Sequence, residues 1–486
     1  MLDSLFDHAV HRPQTIAFVD DDSDLDYRTL ALRVAGFADE LRTTGPTVGI
    51  LAPNGVDWVV AFLAAMLAKK TIVPLPTFFS NHQLEHIITD AGVDVVLGPA
   101  VGRVRSISPD MPTQRISASL ADQLPTTDTG QWQLIIYTSG TTGTPKGVRL
   151  GTSQVSASVQ ALASTILPRP DDRYLSILPF SLLLEQVTGI LLPIRAGVCS
   201  YIASRASTSA LSGDIMPFID VIDVINPSIT VLVPTMLDGW VKALTHMKAK
   251  APPPCLRFVA AGGAHVPVDL IGRARKAGIP AFEGYGLSEC CSVVAVNAPE
   301  ADRVGSVGKP LPGVSLSVEQ GEIIVTGANV MTGYLGGADV NQRWHTGDIG
   351  YIDEDGFLHV QGRADNILVT SLGRNVTPEW IEAMIMSDSR IARCIVFGQG
   401  QPALSCIIVP SDTGQQWFGS ADMAEISDFI ETLCHEAPIY ARPNSHVLYE
   451  ESHLLQYGLI GSGGQINRRA VDAFFCVDDA IRKESR

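Results

Sequence analysis

An apolar strand runs directly into a loop of small and hydroxylated residues in the stretch Leu134-Ile-Ile-Tyr-Thr138-Ser139-Gly140-Thr141-Thr142-Gly143-Thr144-Pro145-Lys146-Gly147. Such a loop can present backbone N–H groups and hydroxyls to a polyphosphate, and Lys146 adds a positive point charge. It is not a Walker A loop, because Pro145 precedes the lysine and no Ser or Thr follows it. A flexible surface turn is the alternative, but the buried-type strand before the loop favours phosphate binding.

Helical segments and short apolar strands alternate on both sides of that loop. The segments are 27–41, 48–52, 57–70, 71–75 and 93–97 before it, and 229–233, 256–260 and 279–282 after it. Ser80 and Gln83 have the spacing of a capping box that opens a helix to Asp90. This alternation predicts an α/β fold with a largely parallel, helix-covered sheet, whose ligands bind beyond the strand ends.

Short strands and turns replace the alternation towards the C-terminal third of the chain. A helix then starts at Pro378 and is followed by two hairpin-like strands, 393–397 and 404–409. These patterns predict a large α/β N-terminal part with several subdomains and a small α+β C-terminal domain. The expected bounds are 1–364 for the N-terminal part, with a β-rich subdomain at about 304–364, and 365–486 for the C-terminal domain.

The composition excludes several function classes. The chain has 486 residues, of which 46% are hydrophobic, so it can bury large cores and is enzyme-sized. Its formal charge of −16 would repel a nucleic-acid backbone, so no nucleic-acid partner is expected. An acidic start and dispersed cysteines indicate a cytoplasmic protein with reduced thiols. Prolines and charges interrupt the most apolar stretch, 174–203, so we expect no transmembrane segment and leave peripheral membrane contact open.

The stretch 134–147 resembles the signature loop of the adenylate-forming (AMP-binding) superfamily, which includes acyl-CoA synthetases, firefly-type luciferases and peptide-synthetase adenylation domains. Further matching segments follow in the family's order: Gly262-Gly263-Ala264, Glu283-Gly284-Tyr285-Gly286-Leu287-Ser288-Glu289, Trp344-His-Thr-Gly-Asp348, Gly362-Arg363-Ala364-Asp365, Gly373-Arg-Asn-Val-Thr-Pro378-Glu and Gly464-Gln465-Ile-Asn-Arg468. The resemblance implies an acid–thiol ligase with a mobile C-terminal lid. Its implied cofactors and partners are ATP, Mg²⁺, a carboxylic acid, and CoA or the phosphopantetheine of a carrier protein.

The resemblance also implies a role for each matched segment. The loop with Lys146 would bind the β- and γ-phosphates of ATP, and Tyr285 would lie against adenine. Ser288 would contact the α-phosphate, and Glu289 would offer Mg²⁺ a hard oxygen ligand. The two oxygens of Asp348 would accept from both ribose hydroxyls. The implied ATP- and AMP-binding residues are Thr138, Ser139, Gly140, Thr141, Thr142, Gly143, Gly263, Ala264, Glu283, Gly284, Tyr285, Gly286, Ser288, Asp348 and Arg363.

Other implied positions lie towards the C-terminus. Asp365 takes the hinge position about which the small domain rotates between an adenylating and a thioester-forming arrangement. Gly373 would face CoA or pantetheine. The implied catalytic positions are Lys146, Glu289 and Gln465.

Gln465 stands where most members of that superfamily have a lysine that bridges the acid and the α-phosphate during adenylation. An amide makes hydrogen bonds worth about 0.5–1.5 kcal/mol, against about 1.5–3 kcal/mol for a charged donor. Arg468 and Arg469 are near in sequence and either supply the charge or serve the structure. Three interpretations remain: a slow adenylating ligase, a ligase that uses an arginine, or an enzyme that forms the thioester from a preformed acyl-adenylate. A non-catalytic protein that binds nucleotide or acyl-adenylate is the alternative from another class.

A leucine-rich segment, Leu178-Pro-Phe-Ser-Leu182-Leu-Leu184-Glu185-Gln, is the candidate acyl pocket. Together with Gly189 it would line an apolar slot without a charged anchor, which suits a fatty or aryl acid better than an amino acid. An ordinary core helix is the alternative. Glu185 and the segment that begins at Gly373 resemble the long-chain acyl-CoA synthetase branch, so a fatty acid is the expected substrate.

Overall fold

The computed structural model describes residues 1–99, 101, 105–107, 130–138, 145–211, 214–246, 249–264, 266–267, 269–371, 374–461 and 464–476. The chain divides into two compact units. The first comprises Met1–Ala264, Arg273–Ser317 and Ile324–His345, and the second comprises His265–Gly272, Val318–Ile323 and Thr346–Arg486.

Strands and helices alternate through most of the first unit. The strands are β1 Ile16–Val19, β2 Asp24–Asp26, β3 Thr47–Ile50, β4 Thr71–Pro74, β5 Val95–Leu97, β6 Arg105–Ile107, β7 Gln133–Thr138, β8 Lys146–Gly151, β9 Arg173–Ser176, β10 Cys199–Ile202, β11 Ile229–Leu232, β12 Phe258–Ala261, β13 Ala281–Leu287, β14 Ser292–Val296, β15 Lys309–Pro310, β16 Val314–Glu319, β17 Glu322–Gly327, β18 Gly333–Tyr334, β19 Arg343–Ile352, β20 Leu358–Arg363, β21 Leu368–Val369, β22 Asn375–Val376, β23 Ile391–Phe397, β24 Leu404–Pro410 and β25 Pro443–Leu448.

The α-helices cover Leu2–His11, Tyr27–Arg42, Val56–Leu67, Asn81–Asp90, Thr152–Ile166, Leu183–Glu185, Leu192–Ala196, Ser204–Leu211, Met216–Ile225, Pro234–His246, Leu270–Lys276, Pro378–Ile385, Gln415–Ser420, Met423–Leu433, Glu451–Gln456 and Arg468–Cys476. Single turns of 3₁₀-helix lie at Ser288–Cys290, Ala364–Asn366 and Ile439–Ala441, and a π-helical stretch spans Gln186–Leu191. No helix of the described segments is long and apolar enough to cross a membrane.

Two mixed sheets carry the first unit. One has the order β18-β8-β7-β4-β3-β5-β6, and the other has the order β15-β14-β13-β12-β11-β9-β10-β1-β2. The inner neighbours pair in parallel, whereas the pairs β7-β8, β8-β18, β13-β14, β14-β15 and β1-β2 are antiparallel. The βα alternation therefore gave the right fold class, since parallel neighbours need the intervening helices as crossovers.

The capping box at Ser80 is present. The Ser80 hydroxyl accepts from the backbone N–H of Gln83, and the Gln83 side chain accepts from the backbone N–H of Ser80. These two bonds satisfy donors at the helix start that no carbonyl of the helix can reach, so the helix begins at Asn81. The expected helix to Asp90 is confirmed.

The C-terminal part of the second unit is a small α+β fold. Strands β23, β24 and β25 form one sheet, in which β23 and β24 pair antiparallel, as their hairpin-like spacing indicates. The helix Pro378–Ile385 begins with proline at its first turn, where a missing N–H costs nothing, and it buries Ile381 and Ile385 in the core. Cys394, Cys406 and Cys434 belong to the same core and are free thiols.

Candidate active site

The strands that flank the glycine-rich loop are in place on either side of it. Strand β7 is buried from Leu134 to Tyr137 and ends at Thr138, and strand β8 starts at Lys146, which is exposed. Thr138 and Lys146 are opposite each other in this antiparallel pair. The intervening candidates, Ser139, Gly140, Thr141, Thr142 and Gly143, lie outside the described residues.

The Gly262-Gly263-Ala264 segment lies beside the Glu283–Gly286 segment. Strands β12 and β13 pair in parallel, with Ala261 opposite Glu283. A Cβ on Gly262 would lie 2.9 Å from the Gly284 carbonyl oxygen, so glycine is needed for this close approach of the two backbones. Burial raises the pKa of Glu283 to about 8, so its carboxyl is mainly neutral at neutral pH. These two candidate nucleotide segments therefore meet at the ends of neighbouring strands, as expected for an α/β ligand site.

Glu289 lies in a strained turn between β13 and β14. It is the middle residue of the Ser288–Cys290 3₁₀ turn, and Cys291 and Ser292 follow with φ of +53° and +81°. The Ser158 hydroxyl donates to the Cys291 carbonyl at 2.7 Å, and the Asn329 amide donates to the Cys290 carbonyl at 2.9 Å. Left-handed backbone at two consecutive non-glycine residues is costly and needs such outside support.

Tyr334 connects the two charged candidates of the first unit. Its hydroxyl donates to Oε1 of Glu289 at 2.7 Å, and Nζ of Lys146 lies 5.7 Å from the centre of its ring. Sequence reasoning missed Tyr334. The only signal for it is a Gly-Tyr pair in a turn-rich stretch, a pattern too common to indicate a site.

Glu289 fits the part of a magnesium ligand. It is half-buried, and Tyr334 fixes one of its two carboxylate oxygens. Among the residues that the structure describes, no group of three or more His, Cys, Asp or Glu side chains could hold a metal. Mg²⁺ in nucleotide sites is held by one or two carboxylates together with phosphate oxygens and water, so one protein carboxylate suffices.

Asp348 and Arg363 form an ion pair in the second unit. They are opposite each other on β19 and β20, and Nη1 of Arg363 donates to Oδ1 of Asp348 at 3.0 Å. The same Nη1 donates to the Thr346 carbonyl at 3.1 Å. Asp348 is only 7% exposed, so the pair fixes its carboxylate in one orientation. The sequence-based expectation that both residues reach one sugar agrees with this adjacency.

The hinge candidate and the CoA-side candidate differ in what the structure shows. Asp365 is exposed in the middle of the Ala364–Asn366 turn and directly follows β20. Gly373 lies outside the described residues.

Gln465 is exposed and lies in an ordered turn. Its carbonyl accepts from the Gly461 N–H at 2.8 Å, and Arg393 donates to the Gly464 carbonyl at 3.0 Å. The turn is therefore held through its backbone, independently of the side chain at position 465.

Arg468 is a structural residue of the C-terminal fold. Its guanidinium donates to both carboxylate oxygens of Glu382 at 2.6 and 2.7 Å, and to Glu379 at 3.2 Å. The side chain is 14% exposed, and it also donates to the Val396 carbonyl. Such a doubly bonded arginine is fixed in place, so Arg468 does not supply the cation that Gln465 lacks. Arg469, in contrast, is exposed.

The candidate acyl segment is largely buried. Leu184 is half-buried, Glu185 and Gly189 are buried, and the π-helical stretch starts directly after Glu185. The Ser176 hydroxyl donates to Oε1 of Glu185 at 2.5 Å, and burial raises the pKa of Glu185 to about 8. A Cβ on Gly189 would lie 2.5 Å from that same oxygen, so the close packing of the carboxyl requires glycine. Glu185 is therefore a neutral acid within the fold at neutral pH.

Comparison with protein families places the chain. The model described as "AMP-binding enzyme" matches residues 5–335, and the model described as "AMP-binding enzyme C-terminal domain" matches residues 365–456. The chain belongs to the AMP-binding enzyme family. This AMP-binding enzyme is accordingly an acid–CoA ligase of the adenylate-forming kind that uses ATP.

Individual relatives give its neighbourhood within the family. A 2-succinylbenzoate–CoA ligase from Bacillus pumilus is 29% identical over 422 residues, which is 81% of this chain and 84% of the relative. The structure of O-succinylbenzoate coenzyme A synthetase from Bacillus subtilis in complex with ATP and magnesium has a TM-score of 0.77 at 23% identity, covering 96% of this chain and 98% of that one. The anthranilate CoA ligase AuaEII has a TM-score of 0.79 at 20% identity, covering 99% and 96%. At these identities the structural likeness shows the fold alone.

The expected long-chain branch is not supported. The relatives above are named for aromatic acids, whereas Glu185 and the segment from Gly373 suggested long-chain acyl-CoA synthetases. The physical reason for the error lies at Glu185, which packs against Ser176 and Gly189 inside the fold. A buried glutamate with a structural role carries no information about the length of an acyl chain.

Proposed function

We propose that this AMP-binding enzyme activates an aromatic carboxylic acid as its acyl-adenylate and transfers the acyl group to CoA. The observation that carries the proposal is the cluster of Lys146, Tyr334 and Glu289, which combines a cation and an oriented carboxylate beside the signature loop. Such a cluster suits a magnesium-bound triphosphate. The Asp348–Arg363 pair offers acceptor and donor groups to a ribose diol.

The first half-reaction is carboxylate attack on the nucleotide. A carboxylate oxygen of the acid attacks the α-phosphorus of ATP, the bond from that phosphorus to the bridging oxygen breaks, and pyrophosphate leaves. Mg²⁺, when bound, would neutralise charge on the phosphates. Glu289 would hold the ion, Lys146 would hold the departing phosphates, and Asp348 would fix the sugar so that the α-phosphate stays in line with the attacking oxygen.

The second half-reaction moves the acyl group to sulfur. The CoA thiol loses its proton and attacks the acyl carbon, the bond from that carbon to the phosphate oxygen breaks, and AMP leaves with both electrons of the bond. AMP carries a single phosphate, so Lys146 contributes less to this step than to the first. Asp348 would hold the same ribose in both steps.

The acyl segment supports an apolar aromatic acid with one carboxylate. No Lys, Arg or His occurs between Leu178 and Leu192, so this segment offers no cation for a second carboxylate. The helix Leu183–Glu185 contacts β14, the strand that pairs with the nucleotide strand β13. An apolar wall next to the nucleotide segment favours a flat ring, for which burial of apolar area supplies the binding energy.

A second candidate function follows from Gln465. With an amide at this position and Arg468 bound to Glu382 and Glu379, the C-terminal domain offers no fixed cation near the turn among its described residues. This favours an enzyme that forms the thioester readily but adenylates slowly. In both candidates the protein is an acid–thiol ligase.

One experiment separates the candidates and tests the acid. Pyrophosphate release is measured with benzoate, anthranilate, 2-succinylbenzoate, octanoate and palmitate, and thiol consumption is measured with CoA and synthetic benzoyl-AMP. Release with a simple aromatic acid supports the full ligase, and thioester formation from benzoyl-AMP without release supports the second candidate. Release with palmitate alone would contradict the aromatic assignment, and inertness in both assays would contradict both candidates. Pantetheine on a carrier protein replaces CoA in a parallel assay, because the acceptor thiol is common to both.

A further inference from the structure

Tyr334 contacts both charged groups of the proposed nucleotide site through different parts of its side chain. The hydroxyl donates to Oε1 of Glu289 at 2.7 Å, and the ring faces Nζ of Lys146 at 5.7 Å. A phenol bonded to a carboxylate makes a charge-assisted hydrogen bond, and an ammonium within about 6 Å of a ring centre is attracted to the ring. One side chain thus acts on the anion and the cation together.

The backbone around Tyr334 is fixed to both partners. Strand β18 pairs with β8, with Tyr334 opposite Val148 and the Leu335 N–H donating to the Gly147 carbonyl at 2.7 Å, one residue after Lys146. On the other side, the Met331 N–H donates to the carbonyl of Glu289 at 2.7 Å. The segment 331–335 therefore ties the strand that starts at Lys146 to the turn that holds Glu289.

We propose that Tyr334 is a positioning residue that sets the geometry of the magnesium–nucleotide site. Its hydroxyl holds the carboxylate of Glu289 in the plane that lets the second oxygen bind the metal, and its ring holds the ammonium of Lys146 near the phosphates. The inference rests on the roles proposed for Glu289 and Lys146. Partners of this kind outside the immediate metal ligands change metal affinity by about 10- to 100-fold.

Packing alone is the competing explanation for Tyr334. Its ring meets Trp344 edge to face, with centres 5.8 Å apart, so some of its contacts serve the fold. The hydroxyl and the ring are separable by mutation, because phenylalanine keeps the ring and its contacts with Trp344 and Lys146. A purely structural role would change the stability of the protein without changing its dependence on magnesium.

The test measures ATP binding by calorimetry on the full chain at a series of Mg²⁺ concentrations. Tyr334→Phe should raise the half-saturating Mg²⁺ concentration by roughly tenfold, the lower end of the expected range, and leave ATP binding without Mg²⁺ nearly unchanged. Tyr334→Leu removes the ring as well, so it should additionally weaken Mg²⁺-free ATP binding by about threefold through release of Lys146.

Two other variants make each outcome decisive. Tyr137→Phe is the matched control, since it removes a tyrosine hydroxyl that donates to the carboxylate of Asp90 at 2.6 Å. It should lower the thermal midpoint and leave the Mg²⁺ titration unmoved. Glu289→Gln tests the underlying metal role directly and should abolish most of the Mg²⁺ dependence.

The possible results separate the inference from the proposed function. If Glu289→Gln alters the Mg²⁺ titration and Tyr334→Phe matches wild type, the positioning role of Tyr334 is overturned while the metal role of Glu289 stands. If Glu289→Gln also matches wild type, the metal site itself is misassigned. A shift in Tyr334→Phe that equals the shift in Tyr137→Phe would reduce Tyr334 to a packing residue.

Discussion

Replacing Gln465 by lysine is the sharpest test of how this AMP-binding enzyme adenylates its acid. The side chain at 465 is exposed, and the turn is held by the bonds between Gly461 and the Gln465 carbonyl and between Arg393 and the Gly464 carbonyl. A lysine therefore fits without overpacking or loss of a backbone bond. We expect Gln465→Lys to accelerate acid-dependent pyrophosphate release by at least about tenfold.

The magnitude follows from the charge added at that turn. A charged donor improves on a neutral one by about 1–1.5 kcal/mol, which corresponds to roughly tenfold in rate. A preorganised charge aimed at a developing anion in a dry site contributes up to about 10²- to 10³-fold. Arg468 contributes no part of this term, because Glu382 and Glu379 already bind its guanidinium. Tenfold is therefore the lower bound if position 465 reaches the reacting groups during adenylation.

The assay compares the two half-reactions on the same variant. Pyrophosphate release with acid and ATP should rise, whereas thiol consumption with CoA and benzoyl-AMP should stay within about twofold, since that step does not need the bridging cation. Gln465→Met, which matches the length of the side chain without its amide, is the control. Fast wild-type release that Gln465→Lys leaves unchanged or slows would refute this reasoning and point to a cation elsewhere, with the exposed Arg469 the next to test.

Three further outcomes test the remaining assignments. Lys146→Ala should weaken ATP by about tenfold and AMP by less than about twofold in calorimetry, because only ATP has β- and γ-phosphates; equal losses would contradict its role. Asp348→Ala should weaken ATP and AMP alike, since both contain the ribose, and an effect on one nucleotide alone would remove it from the sugar site. Burial raises the pKa of Glu185 from 4.5 to about 8, so the folded state takes up a proton, and this stability is complete below pH 4.5 and lost as pH rises through 8. Glu185→Gln should therefore flatten the pH dependence of urea unfolding by up to about 1.4 kcal/mol per pH unit in that window, and an unchanged slope would show that the group is ionised in the folded state.

Periodicity predicted the architecture well where one local rule decides a structure. The capping box at Ser80 and Gln83 depends only on neighbouring atoms, and the structure confirms it. The strand expected at 279–282 instead runs from Ala281 to Leu287, because its second half carries glycines and a tyrosine that disfavour a strand call. Pairing with β12 on one side and β14 on the other stabilises that extension, and such pairing is invisible in a single local sequence.

The site was predictable only as far as its motifs are contiguous. Asp348 and Arg363 lie in separate motifs, and the structure shows them as direct partners across two strands. Tyr334 was missed because its importance comes from tertiary contacts with Glu289 and Lys146, which are 45 and 188 positions away in the chain. Glu185 misled because a buried structural carboxyl and a substrate-facing one look alike in sequence.

The C-terminal domain retains the framework of a catalytic turn while its side chain lacks the charge. Arg393 and Arg468 are both bound to glutamates, at Glu451 and Glu382, so each arginine stabilises the domain and neither is left to act on an anion. The positive charge for adenylation must then come mainly from Lys146 and from the metal that Glu289 is proposed to hold. Because the carboxylate and the α-phosphate repel each other, a site with fewer cations depends more steeply on the placement of those that remain. Tyr334, which contacts both Lys146 and Glu289, is for that reason the side chain on which adenylation by this chain should depend most.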